Sequence, residues 1–318
     1  MGNADSISGL VPSPLKKDDD TLAPVTPSLR AALLATMMLS FCVVLLGGFE
    51  TSVRLWAQLD PKHLPLAQSA LMTRGPRSVA ELLLAVLLAP GWFAWKTQRG
   101  YRHKGVVVWL VAVAVLAGVV AGATGFAGIT GTDIAALHAV FGHIVFACIA
   151  AATAFAFTGT PETVNLFQPK EVFASGFPLR GLALWLPPLV LVQVAMGAAY
   201  RHGQWSVLPH LAGAMAAAFL LLSESALLLQ RVTNHALLRR AARLMLTAVI
   251  TQVCLGFVDY LVRLLDFQDT EVWLVISVAH VTIGSLTFAI SIYLAIAIRY
   301  WVAENESTQS RYQNATIT

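Results

Sequence analysis

The chain has 318 residues, of which 57% are hydrophobic and only 12% charged; its formal net charge is +4 and its mean hydropathy +0.70. Soluble domains carry about 25% charged residues, so the composition excludes a soluble fold and predicts a multi-pass membrane protein. The small positive charge reflects Lys and Arg in membrane-flanking loops, and we do not expect nucleic-acid binding.

The predicted elements begin with a polar tail, residues 1–30, which has too few apolar residues to fold and is expected to be disordered. Eight apolar runs follow, each near the length of about 20 residues that a helix needs to cross the hydrocarbon. The first run is too long for the core of a signal peptide and is interpreted as a retained helix. In chain order the predicted spans are 31–50, 78–95, 105–124, 136–158, 181–200, 209–229, 244–264 and 272–298, and a tail, 299–318, follows them.

Lys and Arg are distributed unevenly between the two sides of the predicted membrane segment. If the N-terminus is cytoplasmic, the tails and loops on its side hold 15 of the 21 Lys and Arg. Positive residues concentrate in the cytoplasmic loops of membrane proteins. We therefore expect both termini to be cytoplasmic.

Two stretches of the chain match each other around a histidine. LHAVFGHIVFA (137–147) and AHVTIGSLTFA (279–289) share the His, a Gly four residues later and a Phe-Ala pair beyond it. The ends of the first and fifth spans also match, in Gly48 and Trp56 and in Gly197 and Trp205. Apolar bias does not supply Gly, His and Trp, although chance similarity is the alternative. We interpret the chain as two pseudo-symmetric four-helix bundles, 31–158 and 181–298, in the same orientation and joined by a cytoplasmic linker, 159–180.

Histidines are the most informative polar residues of the spans, because ionisable groups inside a membrane are costly and often functional. His210 and His138 open their helices and His280 lies about 12 Å into the last one, so all three fall at similar depth. Histidines on facing helices can hold one haem, and His210 with His280 forms such a pair. Small neighbours, including Gly213 and Gly284, suit a flat porphyrin. The alternative is histidines that hydrogen-bond between helices.

Other polar residues are assigned supporting roles. Arg201 is expected to pair with a haem propionate, because guanidinium binds carboxylate through two hydrogen bonds. His202 beside it either shares that role or is solvated. His143 lies about 140° round the helix from His138 and is expected to contact a neighbouring helix. Glu224 is interpreted as a surface or helix-contact acid.

Two further residue types complete the survey of the spans. Asp259, near the outer end of the seventh span, is expected to be a partner of the site or a helix cap. Cys42, Cys148 and Cys254 all fall within spans, where we expect small apolar core residues and no disulfides.

Two motifs resemble the haem A synthase family of cytochrome oxidase assembly proteins. They are QVAMGAAYRHGQWSVLPHLAGA (193–214) and SVAHVTIGSLTFA (277–289). The resemblance is best over 181–298 and extends more weakly over 31–158. It implies an eight-helix protein of two similar bundles that oxidises a methyl group of haem O to the formyl group of haem A. It also implies a haem b in the second bundle and the substrate haem in the first.

Residue by residue, the resemblance implies that His210 and His280 ligate the iron of haem b and that His138 ligates the iron of the substrate haem. Glu81 matches an acidic residue beside the substrate and is expected to assist proton transfer. The family's other ligand in the first bundle falls on Leu84, which cannot bind iron. The family's cysteine pair is also missing from the first outer loop.

The sequence leaves three hypotheses open. The first is a divergent haem A synthase in the cytoplasmic membrane of a bacterium, with haem O, haem A, haem O synthase and cytochrome oxidase subunits as partners. The second is a non-catalytic b-type haem protein for electron transfer or oxidase assembly, which Leu84 favours. The third is a transporter or other membrane protein with structural histidines. His63, in the first outer loop, would replace the missing ligand only if that loop folds back.

Overall fold

The described part of the chain is almost entirely helical. A computed structural model describes residues 25–97, 104–126, 132–158, 171–173, 179–232, 235–268 and 270–304. The long helices are α1 (Pro27–Leu59), α2 (Ala70–Thr97), α3 (Lys104–Phe126), α4 (Thr132–Thr158), α5 (Leu179–Arg201), α6 (Val207–Arg231), α7 (Ala236–Leu264) and α8 (Glu271–Trp301). All eight are long and apolar enough to cross a membrane. The prediction of an all-helical, multi-pass membrane protein is confirmed at this level.

The helices extend beyond the apolar runs that predicted them. α1 begins at Pro27, within the tail expected to be disordered, because Thr26 caps it: its Oγ1 accepts a hydrogen bond from the Leu29 N–H at 3.4 Å. Proline suits the first helical position, where no N–H is needed. α1 also continues to Leu59, well past residue 50. Hydropathy marks only the part of a helix inside the hydrocarbon.

Short turns connect the helices at the predicted outer side. Gly203 has a φ of 75°, which glycine adopts without strain and which lets the chain reverse between α5 and α6. Between α1 and α2 lie a 3-10 turn (Pro61–His63) and a four-residue helix (Leu64–Ala67). Asp60 caps that turn, and hydrogen bonds from the side chain and the backbone of Lys62 hold the pKa of Asp60 below its ordinary value.

The eight helices pack as two closed rings. In each half, neighbours in the chain contact each other and the fourth helix returns to the first, so that α4 contacts α1 and α8 contacts α5. The two rings meet where α4 lies against α8, where α1 lies against α8 and where α4 lies against α5. Leu186, Leu228, Met245 and Leu294 are fully buried within the second ring.

A short β-ladder lies next to the end of α8. β1 (Glu171–Phe173) pairs in parallel with β2 (Val302–Glu304), so a piece of the predicted linker contacts the segment that follows the last helix. The remaining predicted tail and linker residues, 1–24, 159–170, 174–178 and 305–318, lie outside the described residues.

Candidate functional site

Two histidines of the second ring of helices lie close together, with their imidazole planes nearly perpendicular. His210 is in the first turn of α6, just after the reversal at Gly203, and His280 is in the third turn of α8. Their ring centroids are 6.4 Å apart and their planes make an angle of 84°. The structure therefore brings together the two residues that the sequence pairs as haem ligands.

The His210 ring lies against a glycine of the preceding helix. A Cβ atom at Gly197 on α5 would be only 2.9 Å from Cε1 of His210. Gln193, one turn before that glycine, donates from Nε2 to Nδ1 of His210 at 2.9 Å and to its carbonyl oxygen at 2.6 Å. A side chain at Gly213 of α6 would in turn collide with Oε1 of Gln193.

The His280 ring is held in the same way. A Cβ atom at Gly256 on α7 would be 2.8 Å from Cε1 of His280. Gln252 donates from Nε2 to Nε2 of His280 at 3.2 Å. A Cβ atom at Gly284 of α8 would be 3.0 Å from Nε2 of Gln252. We call this repeated arrangement of glutamine, glycine, histidine and glycine the interlock: Gln193, Gly197, His210 and Gly213 in α5 and α6, and Gln252, Gly256, His280 and Gly284 in α7 and α8.

The two interlocks leave polar atoms unpaired inside the protein. Oε1 of Gln193, Oε1 of Gln252 and Nδ1 of His280 are buried and have no hydrogen-bond partner in the described part of the chain. Buried polar groups in folded proteins are nearly always paired. The unpaired atoms therefore mark a polar site whose hydrogen-bonding capacity exceeds what these residues use.

The geometry of the histidine pair fits a haem. Two imidazoles that bind one metal atom from opposite sides through bonds of about 2 Å have ring centroids about 6 Å apart, close to the 6.4 Å found here. Among the described residues no group of three or more His, Cys, Asp or Glu could hold an ion. A haem does not need such a group, because its porphyrin nitrogens bind the iron and the protein supplies only axial ligands.

Gly213 and Gly284 have a different role from the one expected. The sequence assigns them to the space beside a flat porphyrin. The structure instead places a glutamine of the preceding helix against each of them. They allow close packing of α6 on α5 and of α8 on α7, and they position the histidines only through those glutamines.

Arg201, the expected propionate partner, ends α5 beside the contact between the two rings. Its Nη2 donates to the carbonyl oxygen of Gly48 at 3.0 Å and to Oγ of Ser52, both on α1. Its Nε is buried and has no hydrogen-bond partner among the residues described. The guanidinium thus has a donor left for an acidic ligand group.

A second cation and an acid lie nearby on α7. Asp259, one turn after Gly256, accepts a hydrogen bond from Nε of Arg263 at 3.0 Å. The Arg263 guanidinium also lies over the rings of Tyr200 and Trp273, at 5.4 and 5.2 Å from their centroids. Asp259 is therefore engaged by its own helix, while its Oδ1 is buried without a partner in the described segments.

His202 lies just outside α5, between the two rings. Partial burial lowers the pKa of His202, and the nearby Arg201 and His138 lower it further. The neutral imidazole is thus favoured there, which suits a half-buried position better than a fully solvated one.

The first ring arranges its predicted site residues differently. His138 is exposed, and its Nδ1 donates to the carbonyl oxygen of Ala121 on α3 at 2.9 Å. Leu84 is half-buried and faces α3, where a Cβ atom at Gly118 would be 2.8 Å from its Cδ2. Glu81 lies on an exposed part of α2. The close pairing of His210 with His280 has no counterpart in these contacts.

Three other polar residues are placed clearly. His143 is buried, and its Nε2 lies 3.2 Å from the hydroxyl of Ser285 on α8, as expected for a helix-contact residue. His63 stacks on Trp56 with ring centroids 3.4 Å apart, which holds it against the end of its own neighbouring helix, α1. Glu224 is only 1% exposed, which excludes the surface alternative and agrees with the helix-contact one: it lies on the inward face of α6.

Gln252 and Gly256 are the site residues that the sequence interpretation missed. Their signal is the repeat of Gln-Val-x-x-Gly, as QVAMG (193–197) and QVCLG (252–256). Each copy precedes one of the two paired histidines on the next helix. The repeat passes unnoticed within long apolar runs, since only its Gln is polar.

Comparison with known proteins adds no relative: no family model matches the chain, and no curated protein matches it. The site itself and the resemblance of its motifs are therefore the evidence for a function.

Proposed function

We propose that this membrane protein binds one b-type haem between His210 and His280. The observation that carries the proposal is that the imidazoles of His210 and His280 lie 6.4 Å apart, centroid to centroid, within the second ring of helices. A haem with two histidine ligands supplies one-electron transfer. The chain's own residues hold the two imidazoles in place through a glutamine and a glycine each.

Arg201 is the proposed partner of a haem propionate. It lies at the end of the helix that carries Gln193 and Gly197, and its buried Nε has no partner among the described atoms. Guanidinium forms strong paired hydrogen bonds with carboxylates. Its present contacts, to Gly48 and Ser52, are to neutral oxygens and leave its charge uncompensated by those groups.

The test is the haem content of the purified protein, measured as the pyridine haemochrome after expression with ample haem. We expect about one haem b per chain, lost in His210→Ala and in His280→Ala. His63→Ala is the matched control, because that ring stacks on Trp56 in the outer loop. Wild-type protein without haem would overturn the proposal.

As the activity we propose a haem A synthase-like oxidation of a haem O methyl group to a formyl group, serving cytochrome oxidase assembly. The methyl carbon gains the oxygen of a water molecule, and the electrons and protons released pass to an external oxidant. The motifs at 193–214 and 277–289 support it, and so does the state of His138. Nδ1 of His138 donates to the Ala121 carbonyl, an arrangement common for the second ring nitrogen of histidines that bind metals. His138 would hold the substrate haem and Glu81 would assist proton transfer.

A non-catalytic role in electron transfer or oxidase assembly is the second candidate. The packing of Leu84 against Gly118 favours it, because an apolar side chain fills the place of the expected second ligand. The exposure of Glu81 favours it as well.

Haem extraction separates the two candidates. The chain is expressed in a host that makes haem O but lacks its own haem A synthase, and the extracted haems are identified by chromatography. Haem A in the extract supports the synthase, and its loss in His138→Ala would place the reaction in the first ring. Haem B and O without haem A supports the non-catalytic protein.

We also propose that the two rings are related by a pseudo-two-fold axis along the membrane normal. Two contacts between the halves join positions that the sequence repeat equates. His143 contacts Ser285, 142 residues away, which is also the spacing of His138 and His280. Arg201 contacts Ser52, 149 residues away, which is the spacing of Gly197 and Gly48. Contacts between equivalent positions are expected beside such an axis.

The orientation that we propose has both termini in the cytoplasm of a bacterial cell, with the paired histidines near the outer face. The uneven distribution of Lys and Arg supports it. Cytoplasmic and periplasmic reporter fusions at the C-terminus test it. A fusion that is active only as the periplasmic reporter would reverse the orientation.

A further inference from the structure

The two interlocks place each histidine by two independent contacts. One contact is the glycine against which the ring lies, and the other is the glutamine that hydrogen-bonds to a ring nitrogen. The arrangement occurs twice, on different helices, with glutamine four residues before glycine in both copies. Chance packing of one polar residue does not account for such a repeat.

We propose that Gln193 and Gln252 are positioning residues, which together with Gly197 and Gly256 fix the direction in which the two imidazoles face each other. The inference rests on the proposed haem site and goes beyond it, since it names the residues that set the ligand orientation. Neither glutamine is a ligand itself.

The hydrogen bonds of Gln193 tie the His210 ring to the backbone of its own helix. Its amide donates to the carbonyl oxygen of His210 and to Nδ1 of the same residue. The carbonyl contact fixes the amide on α6, and the ring contact then fixes the rotation of the imidazole. A histidine that points into a bundle without such a partner is free to change rotamer.

The glycines set how deeply each ring sits. A methyl group at Gly197 or Gly256 would lie 2.9 or 2.8 Å from the nearest ring carbon, closer than carbon atoms approach without repulsion. Only glycine lets the ring lie directly on the helix backbone. Each imidazole is thereby held against the helix that carries its glycine.

The glutamines can serve the rings both before and after metal binding. Each donates an N–H to one ring nitrogen, which keeps the proton on the other nitrogen. A metal takes an unprotonated nitrogen, so the proton must then lie on the nitrogen that faces the glutamine. The Oε1 atoms of Gln193 and Gln252 are buried without a partner among the described residues. When the side-chain amide turns over, so that its nitrogen and oxygen exchange places, Oε1 can accept a hydrogen bond from that ring nitrogen. For Gln193 this turn gives up the bond to the His210 carbonyl.

The first ring has an apolar residue at one of the two glutamine positions. When Gly48 is aligned with Gly197, Val44 takes the place of Gln193, and Val44 is buried. His138, the counterpart of His280, hydrogen-bonds to the backbone carbonyl of Ala121. The contacts of Gln193 therefore have no counterpart at Val44.

The experiment replaces each glutamine by methionine, which keeps the length of the side chain and removes its hydrogen bonds. Full-length Gln193→Met and Gln252→Met are purified with haem, and carbon monoxide is titrated onto the reduced protein. Carbon monoxide binds only when a histidine leaves the iron. An imidazole that has lost its glutamine hydrogen bond should leave more easily. The apparent affinity for carbon monoxide should therefore rise about five- to tenfold, the effect of one lost hydrogen bond. Gly197→Ala and Gly256→Ala should act in the same direction.

Matched controls separate this effect from general damage. Gln230→Met changes an exposed glutamine at the end of α6, and Gly47→Ala adds a methyl where nothing lies within 4 Å; neither should change carbon monoxide binding. Haem at the wild-type level with unchanged carbon monoxide affinity in both glutamine variants would overturn the positioning role and leave the haem proposal intact. Wild-type protein without haem would overturn both.

Discussion

At the scale of single residues, the angle between the His210 and His280 rings has a spectroscopic consequence. The ring planes are nearly perpendicular, at 84°. In the proposed haem complex, perpendicular imidazole ligands would bring two d orbitals of low-spin ferric iron close in energy, so we predict a strongly anisotropic electron paramagnetic resonance signal with an unusually large highest g value. Frozen oxidised protein checks it. A signal typical of parallel rings would show that the imidazoles turn when haem binds.

His202 should make stability depend on pH. Burial first, and then Arg201 and His138, lower the pKa of His202 in the folded state, so the unfolded chain binds a proton more readily. The stability contribution is therefore complete above the ordinary pKa of histidine, about 6.5, and is lost as the pH falls through the lower folded value.

Thermal unfolding in detergent between pH 8 and pH 5 measures this effect. His202→Gln should flatten the decline in midpoint below pH 6.5 without changing the midpoint at pH 8 by much. An equally steep decline in the variant would assign the pH dependence to other groups.

At the scale of the helices, α2 carries the main difference between the two rings. Leu84 faces Gly118 of α3 from inside the first ring. We predict that Leu84→His raises the haem content above that of the wild type. The new imidazole would face the inside of the first ring of helices, which contains His138.

Leu82→His is the control for that substitution. Leu82 is 54% exposed on the same helix, so a histidine there would face away from the first ring. Haem content is measured per chain by the pyridine haemochrome in both variants. An increase in both variants, or in neither, would contradict the alignment of Leu84 with the family's ligand.

The elements were largely predictable, because each span has a long apolar run that only a helix can carry through a bilayer. Which face of each helix packs inward was not predictable. Cys42 and Cys254 were expected in the core, yet both lie on exposed faces. Glu224 was open to a surface position, yet it is buried. Helices that are apolar all round give little signal for orientation, since lipid and protein core accept the same side chains.

The pairing of His210 with His280 was predictable from the sequence, and the residues that hold their imidazoles were not. His210 and His280 are recognisable because a histidine in a membrane span is rare and costly. Gln252 and Gly256 contact His280 from another helix, and the distance along the chain hides that contact. In the sequence, only the Gln-Val-x-x-Gly repeat indicates Gln252 and Gly256 as site residues.

At the scale of the whole molecule, the contact between the rings depends on Gly48. A methyl group at Gly48 would lie 3.1 Å from Cγ1 of Val281 on α8, and valine in a helix cannot easily turn away. We predict that Gly48→Ala destabilises the protein relative to Gly47→Ala by about 1–3 kcal/mol, the usual cost of overpacking.

Gly47→Ala is the matched control, since it adds a methyl to open space on the same helix and should stabilise by up to about 1 kcal/mol through helix propensity. Unfolding in mixed micelles measures both variants. Equal effects would mean that the rings are free to shift apart at this contact.

The positions of His210 and His280 on opposite helices of the second ring of helices have a consequence for the protein's stability and degradation in the cell. α6 and α8 are not neighbours in the second ring of helices. A cofactor bound by both histidines would therefore link these two helices. Binding to the folded state alone adds about 2.7 kcal/mol of stability when free cofactor is at a hundred times its dissociation constant. In a cell short of haem, that link between the helices would be missing, and membrane proteases would degrade the protein faster. Its abundance would then follow haem supply without any control of transcription.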